Sequence, residues 1–201
     1  MSEPPIALAL WELPLRAAPT PLYQCFGVRR GALNFNRRST GRFNAPADEY
    51  GITYLCDRLE GAFAERFLQS SARDDHGRTF ITQATLATHR LCRVGLANEA
   101  ERVPRLVDLS DSGPLLIGAD SRLCSATDNP GLTQRWALAL WRHPARPDGL
   151  FYRARHDPTC LSIALFDRAD HLVVADGAAN LLANLDQLLA ILRRYQVGLI
   201  P

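Results

Sequence analysis

A β-branched and aromatic run, Ile52-Thr53-Tyr54-Leu55, leads after a short break into a segment, Arg58 to Gln69, where Leu59, Phe63 and Phe67 recur at four-residue spacing. The first reads as a strand and the second as a helix with an apolar stripe on one face. That succession sets a strand and a helix next to each other in the chain. It also lets strand and helix carry polar side chains into one cleft. Three such side chains fall here: Arg42 in the Gly-flanked turn region before the strand, Tyr54 in the strand, and Glu65 in the helix. At about 100° per residue, Glu65 points well away from the centre of the stripe, so periodicity alone makes it a solvent-facing carboxylate. Glu60 borders the stripe and is the lesser candidate. Taken singly, Arg42 is a loop cation and Tyr54 a half-buried strand aromatic whose hydroxyl reaches water.

With 201 residues, 47% of them hydrophobic and 22% charged, the chain can bury a substantial core and suits a single domain. Its 23 basic against 21 acidic residues are too balanced for the dense basic face of a nucleic-acid binder. A small anionic ligand remains compatible. Cys25, Cys56, Cys92, Cys124 and Cys160 are scattered and lack C-x-x-C spacing, which argues against a disulfide framework or a zinc site and for a reducing cytosol. His76 and His89 are isolated and read as surface or core histidines rather than metal ligands. The first residues lack a basic segment, and no apolar run reaches about eighteen residues, so neither secretion nor membrane insertion is expected.

Pro4, Pro5, Pro14, Pro19 and Pro21 restrict regular helix, so residues 1–21 read as an extended arm packed through Trp11 and Leu13 onto a domain spanning 22–201. Leu22 to Val28 reads as the first strand, followed by a loop with Arg29, Arg30, Arg37 and Arg38 that is either simply solvated or attracts a dianionic ligand. Residues 70–79 form a polar loop, and the chain from there to Leu96, and again from Val103 to Leu109, reads as strands of a sheet. Ser110 to Pro114 is a turn, residues 121–130 are a polar connector, and a helix follows near Leu132 to Trp141. Leu150 to Arg153 and Leu161 to Phe166 read as further strands. Leu181, Leu182, Leu185, Leu188, Leu189 and Leu192 predict an amphipathic helix that packs on the core or offers a partner surface. There is no G-x-S-x-G elbow, no phosphate-binding P-loop and no dinucleotide fingerprint of the Rossmann kind.

Several short stretches in fixed order carry a resemblance. They are Gly41-Arg42-Phe43-Asn44-Ala45-Pro46, Tyr50-Gly51-Ile52-Thr53-Tyr54-Leu55, Ala62-Phe63-Ala64-Glu65, Thr133-Gln134-Arg135-Trp136-Ala137, and Asp148 to Asp157. Over residues 22–168 the chain resembles the RES domain family, named for an Arg, a Glu and a Ser. The resemblance implies an α/β (α+β) single domain with a mixed, largely antiparallel sheet and flanking helices, similar to the ADP-ribosyltransferase fold. It implies NAD⁺ as substrate, no cofactor, and a cytoplasmic toxin held by an antitoxin protein. A homodimer is compatible.

By this resemblance Glu65 holds the ribose 2′-hydroxyl and stabilises the positive charge that develops as the nicotinamide–ribose bond breaks. Arg42 grips a phosphate or carboxamide oxygen through its guanidinium fork, and Tyr54 stacks on the nicotinamide. Where the family usually has Ser, this chain has Ala154. One lost hydrogen bond costs about 0.5–1.5 kcal/mol, a modest penalty. Arg155 or His156 would take over that contact; His156 beside Arg155 and Asp157 reads more as a structural hydrogen-bond element than as a base for an attacking water, and Ala154→Ser is expected to raise activity. Three activities stay open: NAD⁺ cleavage with water or phosphate as acceptor, ADP-ribosyl transfer to a protein or nucleotide, and a non-catalytic nucleotide-binding or interaction module, which Ala154 slightly favours.

Overall fold

The computed structural model describes residues 2–38, 40–69, 72–73, 76–125 and 129–201. Ser70, Ser71, Asp74 and Asp75 of the polar loop, and Ala126, Thr127 and Asp128 of the connector, lie outside the described residues. In chain order the elements are β1 (Leu15–Ala17), β2 (Leu22–Gly27), β3 (Ile52–Cys56), α1 (Leu59–Phe67), β4 (Ala72–Arg73), β5 (Thr79–Thr82), α2 (Gln83–Ala87), β6 (His89–Leu96) and β7 (Arg105–Asp108). There follow α3 (Gly113–Leu116), α4 (Arg122–Ser125), α5 (Pro130–Arg142), β8 (Gly149–Arg153), β9 (Leu161–Phe166), β10 (Val173–Asn180), α6 (Leu185–Arg194) and β11 (Gly198–Ile200).

The main sheet runs β1-β7-β8-β9-β3-β2-β6-β10 and is antiparallel except between β7 and β8. A three-stranded sheet, β11-β5-β4, stands apart from it. The fold is therefore a mixed α/β domain with a largely antiparallel main sheet. β9 lies in the middle and is buried from Ser162 to Phe166, as a strand covered on both faces must be. One face carries the cluster around Trp136, Tyr50 and Phe166 under α5; the other carries Leu55, Phe151 and Ile163.

Helix starts follow local chemistry. Asn129 caps α5 by accepting the Leu132 N–H at 3.1 Å, with Pro130 in the first turn. Asn184 caps α6 by accepting the Gln187 N–H at 3.1 Å. This cap corrects the leucine pattern: residues 181–183 are a separate turn, the helix begins at Leu185, and Leu185 and Leu189 face outward while Leu188, Ile191 and Leu192 are buried.

The stretch read as strands up to Leu96 also divides. The Thr82 side chain accepts the Thr85 N–H at 3.1 Å and starts α2, so β5 joins the small sheet and β6 the large one. The turn at Ser110 to Pro114 runs on into the single-turn α3. In the N-terminal arm, Ile6–Leu10 form a 3₁₀ turn and β1 pairs with β7, while Leu13 is buried in the core.

Candidate functional site

β2 and β3 are registered to each other only at Tyr23 and Cys56. Away from that pair the strands part, and a cleft of about 540 Å³ opens between them, within the range usual for small-molecule sites. α1 closes one side. It can lie close to the sheet because Gly61 has no side chain: a Cβ there would collide with the Cys56 sulfur and come within 2.8 Å of the Cys160 Cβ. Phe63 and Phe67 turn instead toward α6, in the cluster with Leu188 and Ile191. The helix is thus held on two sides.

This double packing overturns the solvent-facing reading of Glu65. The residue is half-buried, lines the cleft, and accepts the His156 N–H on Oε1 at 3.0 Å. The stripe of Leu59, Phe63 and Phe67 shows only one contact face of a helix that has two.

Arg42 and Tyr54 line the same cleft. The loop that presents Arg42 is fixed from three directions. Thr133 Oγ1 donates to the Arg42 carbonyl at 2.9 Å, and Gln134 Nε2 donates to the Gly41 carbonyl at 3.0 Å. The Tyr54 hydroxyl accepts the Phe43 N–H at 3.1 Å and donates to Asn44 Oδ1 at 2.9 Å. Asn44, itself 1% exposed, donates to the Asn36 and Arg38 carbonyls at 3.1 and 2.8 Å. Gly41 is required at this crowded point, since a Cβ would collide with Asn44 Oδ1 and lie 2.7 Å from the Tyr54 hydroxyl.

The Tyr54 hydroxyl therefore bonds the protein rather than water, and burial pushes its phenol well above the ordinary range. The Arg42 guanidinium donates to the Cys124 carbonyl. We expect Tyr54→Phe, which strands the Phe43 N–H and one Asn44 acceptor, to destabilise the protein by about 1–3 kcal/mol in denaturant unfolding. The same bonds set the Arg42 loop, so the cleft wall should loosen with it.

Charge in the cleft is lopsided. Arg30, Arg42, Arg66 and Arg155 line it, against Glu65 as the one carboxylate among its lining residues. The basic loop divides accordingly: Arg30 reaches the cleft, whereas Arg37 pairs with Asp167 at 2.5 Å. Arg66 Nη2 lies 2.7 Å from His89 Nε2, and the His89 Nδ1 meets the Thr85 carbonyl at 2.8 Å, so His89 is a partnered core histidine. Burial, with Arg66 adding to it, holds that imidazole below its usual range despite the Thr85 carbonyl.

Arg155 and His156 line the cleft; Ala154 does not. Its methyl is buried with Cys56, Ala62 and Cys160. Tyr152, which is not among the site residues the sequence points to, also lines the cleft; burial, then Tyr54 and Glu65, push its phenol well above the usual range.

Among the described residues, Cys56, Asp57 and Cys160 bring potential metal-ligand atoms within 4.8 Å of one another, a grouping that no sequence spacing announces. Burial pushes the Cys160 thiol up to about 11 and the Cys56 thiol higher still, and Asp57 already accepts the Leu161 N–H at 2.8 Å.

The RES domain family model matches residues 13–183. The chain belongs to the RES domain family. A search of curated proteins returns no match. Among solved structures, this RES domain resembles a chain of the crystal structure of the M. tuberculosis MbcT–MbcA toxin–antitoxin complex. The likeness has a TM-score of 0.65 at 17% identity and covers 88% of this chain and 92% of that one. At that identity it speaks for the fold alone.

Proposed function

We propose that this RES domain cleaves the nicotinamide–ribose bond of NAD⁺, with water or inorganic phosphate as acceptor, and is the toxin of a toxin–antitoxin pair. The observation that carries the reading is a single held carboxylate, Glu65, in a cleft whose lining also includes four arginines and no second carboxylate. A dinucleotide has that charge pattern in reverse: a pyrophosphate that suits arginines, and one pyridinium sugar that suits a carboxylate. Family membership and the likeness to a chain from a toxin–antitoxin complex support the same direction.

In the reaction, the C–N bond breaks with its electron pair leaving on nicotinamide, which departs neutral. The leaving group therefore needs no proton, unlike the alkoxide of ordinary glycoside hydrolysis, where a second carboxyl acts as acid. Glu65 stabilises the oxocarbenium-like charge and holds the 2′-hydroxyl. The backbone N–H of His156 fixes the carboxylate beforehand, so little reorganisation is needed as the charge develops. Tyr54 offers its ring face to the nicotinamide, since its hydroxyl is already committed to Phe43 and Asn44. A water oxygen then bonds the anomeric carbon and releases one proton, giving ADP-ribose; phosphate in its place gives the 1″-phosphate.

No described helix is long and apolar enough to cross a membrane. We place the protein in the cytoplasm, where NAD⁺ is abundant and an antitoxin can meet it. The test is to incubate the pure protein with NAD⁺ labelled in the adenylate half, with and without phosphate. Release of nicotinamide with label on a small product is expected. Label on a macromolecule would make the protein an ADP-ribosyltransferase, and no nicotinamide release under any condition would overturn the enzymatic reading.

A further inference from the structure

The cleft floor holds a group that the proposed reaction does not yet use. Ser162 in β9 stands directly opposite Cys56 of β3 and Tyr152 of β8. Opposed residues of antiparallel strands share a face, so the Ser162 side chain lies on the same side of the sheet as Tyr152 and, two residues along β3 from Cys56, Tyr54. Ser162 lines the cleft, is 2% exposed, and its hydroxyl has no hydrogen-bond partner. Most buried hydroxyls are paired, and one left unpaired beside a ligand cleft calls for a partner that the folded chain does not supply.

Residue 154 carries no hydroxyl and is not among the residues that line the cleft. The Ala154 N–H is bonded to the Cys160 carbonyl at 2.9 Å, and its buried methyl packs among Cys56, Ala62 and Cys160 without itself lining the cleft. A hydroxyl added there would enter an apolar cluster. Tyr152, by contrast, is the direct neighbour of Ser162 and lies in the electrostatic field of Glu65, Tyr54 and Arg42. Ser162 is thus next to the end of the cleft where the carboxylate acts.

We infer that Ser162, rather than residue 154, supplies the buried hydroxyl that contacts the nicotinamide-riboside end of the bound dinucleotide. The inference rests on the NAD⁺ reading above. That end of the ligand brings ribose hydroxyls and a carboxamide, each able to donate to or accept from Ser162 Oγ. The contact would satisfy the hydroxyl and fix the sugar against Glu65.

The test is calorimetric binding in the Glu65→Gln background, where turnover is suppressed, with NAD⁺, nicotinamide mononucleotide and ADP as probes. Adding Ser162→Ala should weaken NAD⁺ and nicotinamide mononucleotide by about five- to tenfold and leave ADP within about twofold. Adding Ala154→Ser as well should restore nothing. NAD⁺ affinity unchanged by Ser162→Ala overturns the inference alone, as does a loss shared equally by ADP, which would mark a structural role, or rescue by Ala154→Ser. Absence of NAD⁺ binding by both the unaltered protein and Glu65→Gln overturns the functional reading itself, and this inference with it.

Discussion

Glu65→Gln is expected to slow nicotinamide release from NAD⁺ by about 10²–10³-fold, the usual loss when a preorganised group that meets transition-state charge is removed. The amide keeps the size of the side chain, and its carbonyl can still accept the His156 N–H that the carboxylate accepts at 3.0 Å. What disappears is the negative charge. Glu65 is only half-buried, so its replacement should move stability by no more than about 0.5 kcal/mol, or about 2 °C in Tm for a protein of this size. Initial rates beside thermal melts separate the two effects. Turnover within a few-fold of the unaltered protein would show that another group carries the reaction.

The largest expected effect on stability belongs to Asp157→Asn. The Asp157 side chain is 8% exposed and accepts from Thr159 N–H at 3.0 Å, Thr159 Oγ1 at 2.6 Å, Arg194 Nη2 at 2.9 Å and Tyr195 hydroxyl at 2.8 Å. These bonds tie the loop between β8 and β9 to the C-terminal end of α6. Burial opposes the charge of Asp157, but the bonds from Thr159, Arg194 and Tyr195 outweigh it and hold the carboxyl far below its ordinary range. Because the folded value is depressed, the stabilisation is fully present above the unfolded value of about 4 and is lost as pH falls from there toward the folded value.

At pH 7 the asparagine variant should be less stable by about 2–4 kcal/mol, a fall in Tm of about 4–16 °C. The gap between variant and parent should narrow steadily as melts are repeated below about pH 4. A gap that stays constant down to pH 2 would mean that packing, not charge, holds this loop. His156 follows Ala154 and Arg155 in the same loop and its N–H holds Glu65, so turnover should fall along with stability.

Much of the site could be read along the chain. Arg42, Tyr54 and Glu65 fall within a short span whose order of turn, strand and helix is local, and the structure brings all three to one cleft. Helix ends were less legible. The caps at Thr82 and Asn184 are single side-chain bonds, and each moved a boundary that apolar periodicity had placed elsewhere.

By itself, then, the sequence determined the kinds of element, their order, and the local cluster of polar residues, because periodicity and short motifs act over neighbouring positions. Only the tertiary structure decided which faces are buried and what stands across a strand. It gave α1 two packing faces, so that Glu65 lines a cleft rather than facing solvent. It parted β2 from β3 to make the cleft, sent β5 to a second sheet, and placed Ser162 beside Tyr152 in the cleft lining while burying the Ala154 methyl among Cys56, Ala62 and Cys160. Each of these depends on register between segments far apart in the chain, and a shift of one residue would turn every side chain of a strand to the opposite face.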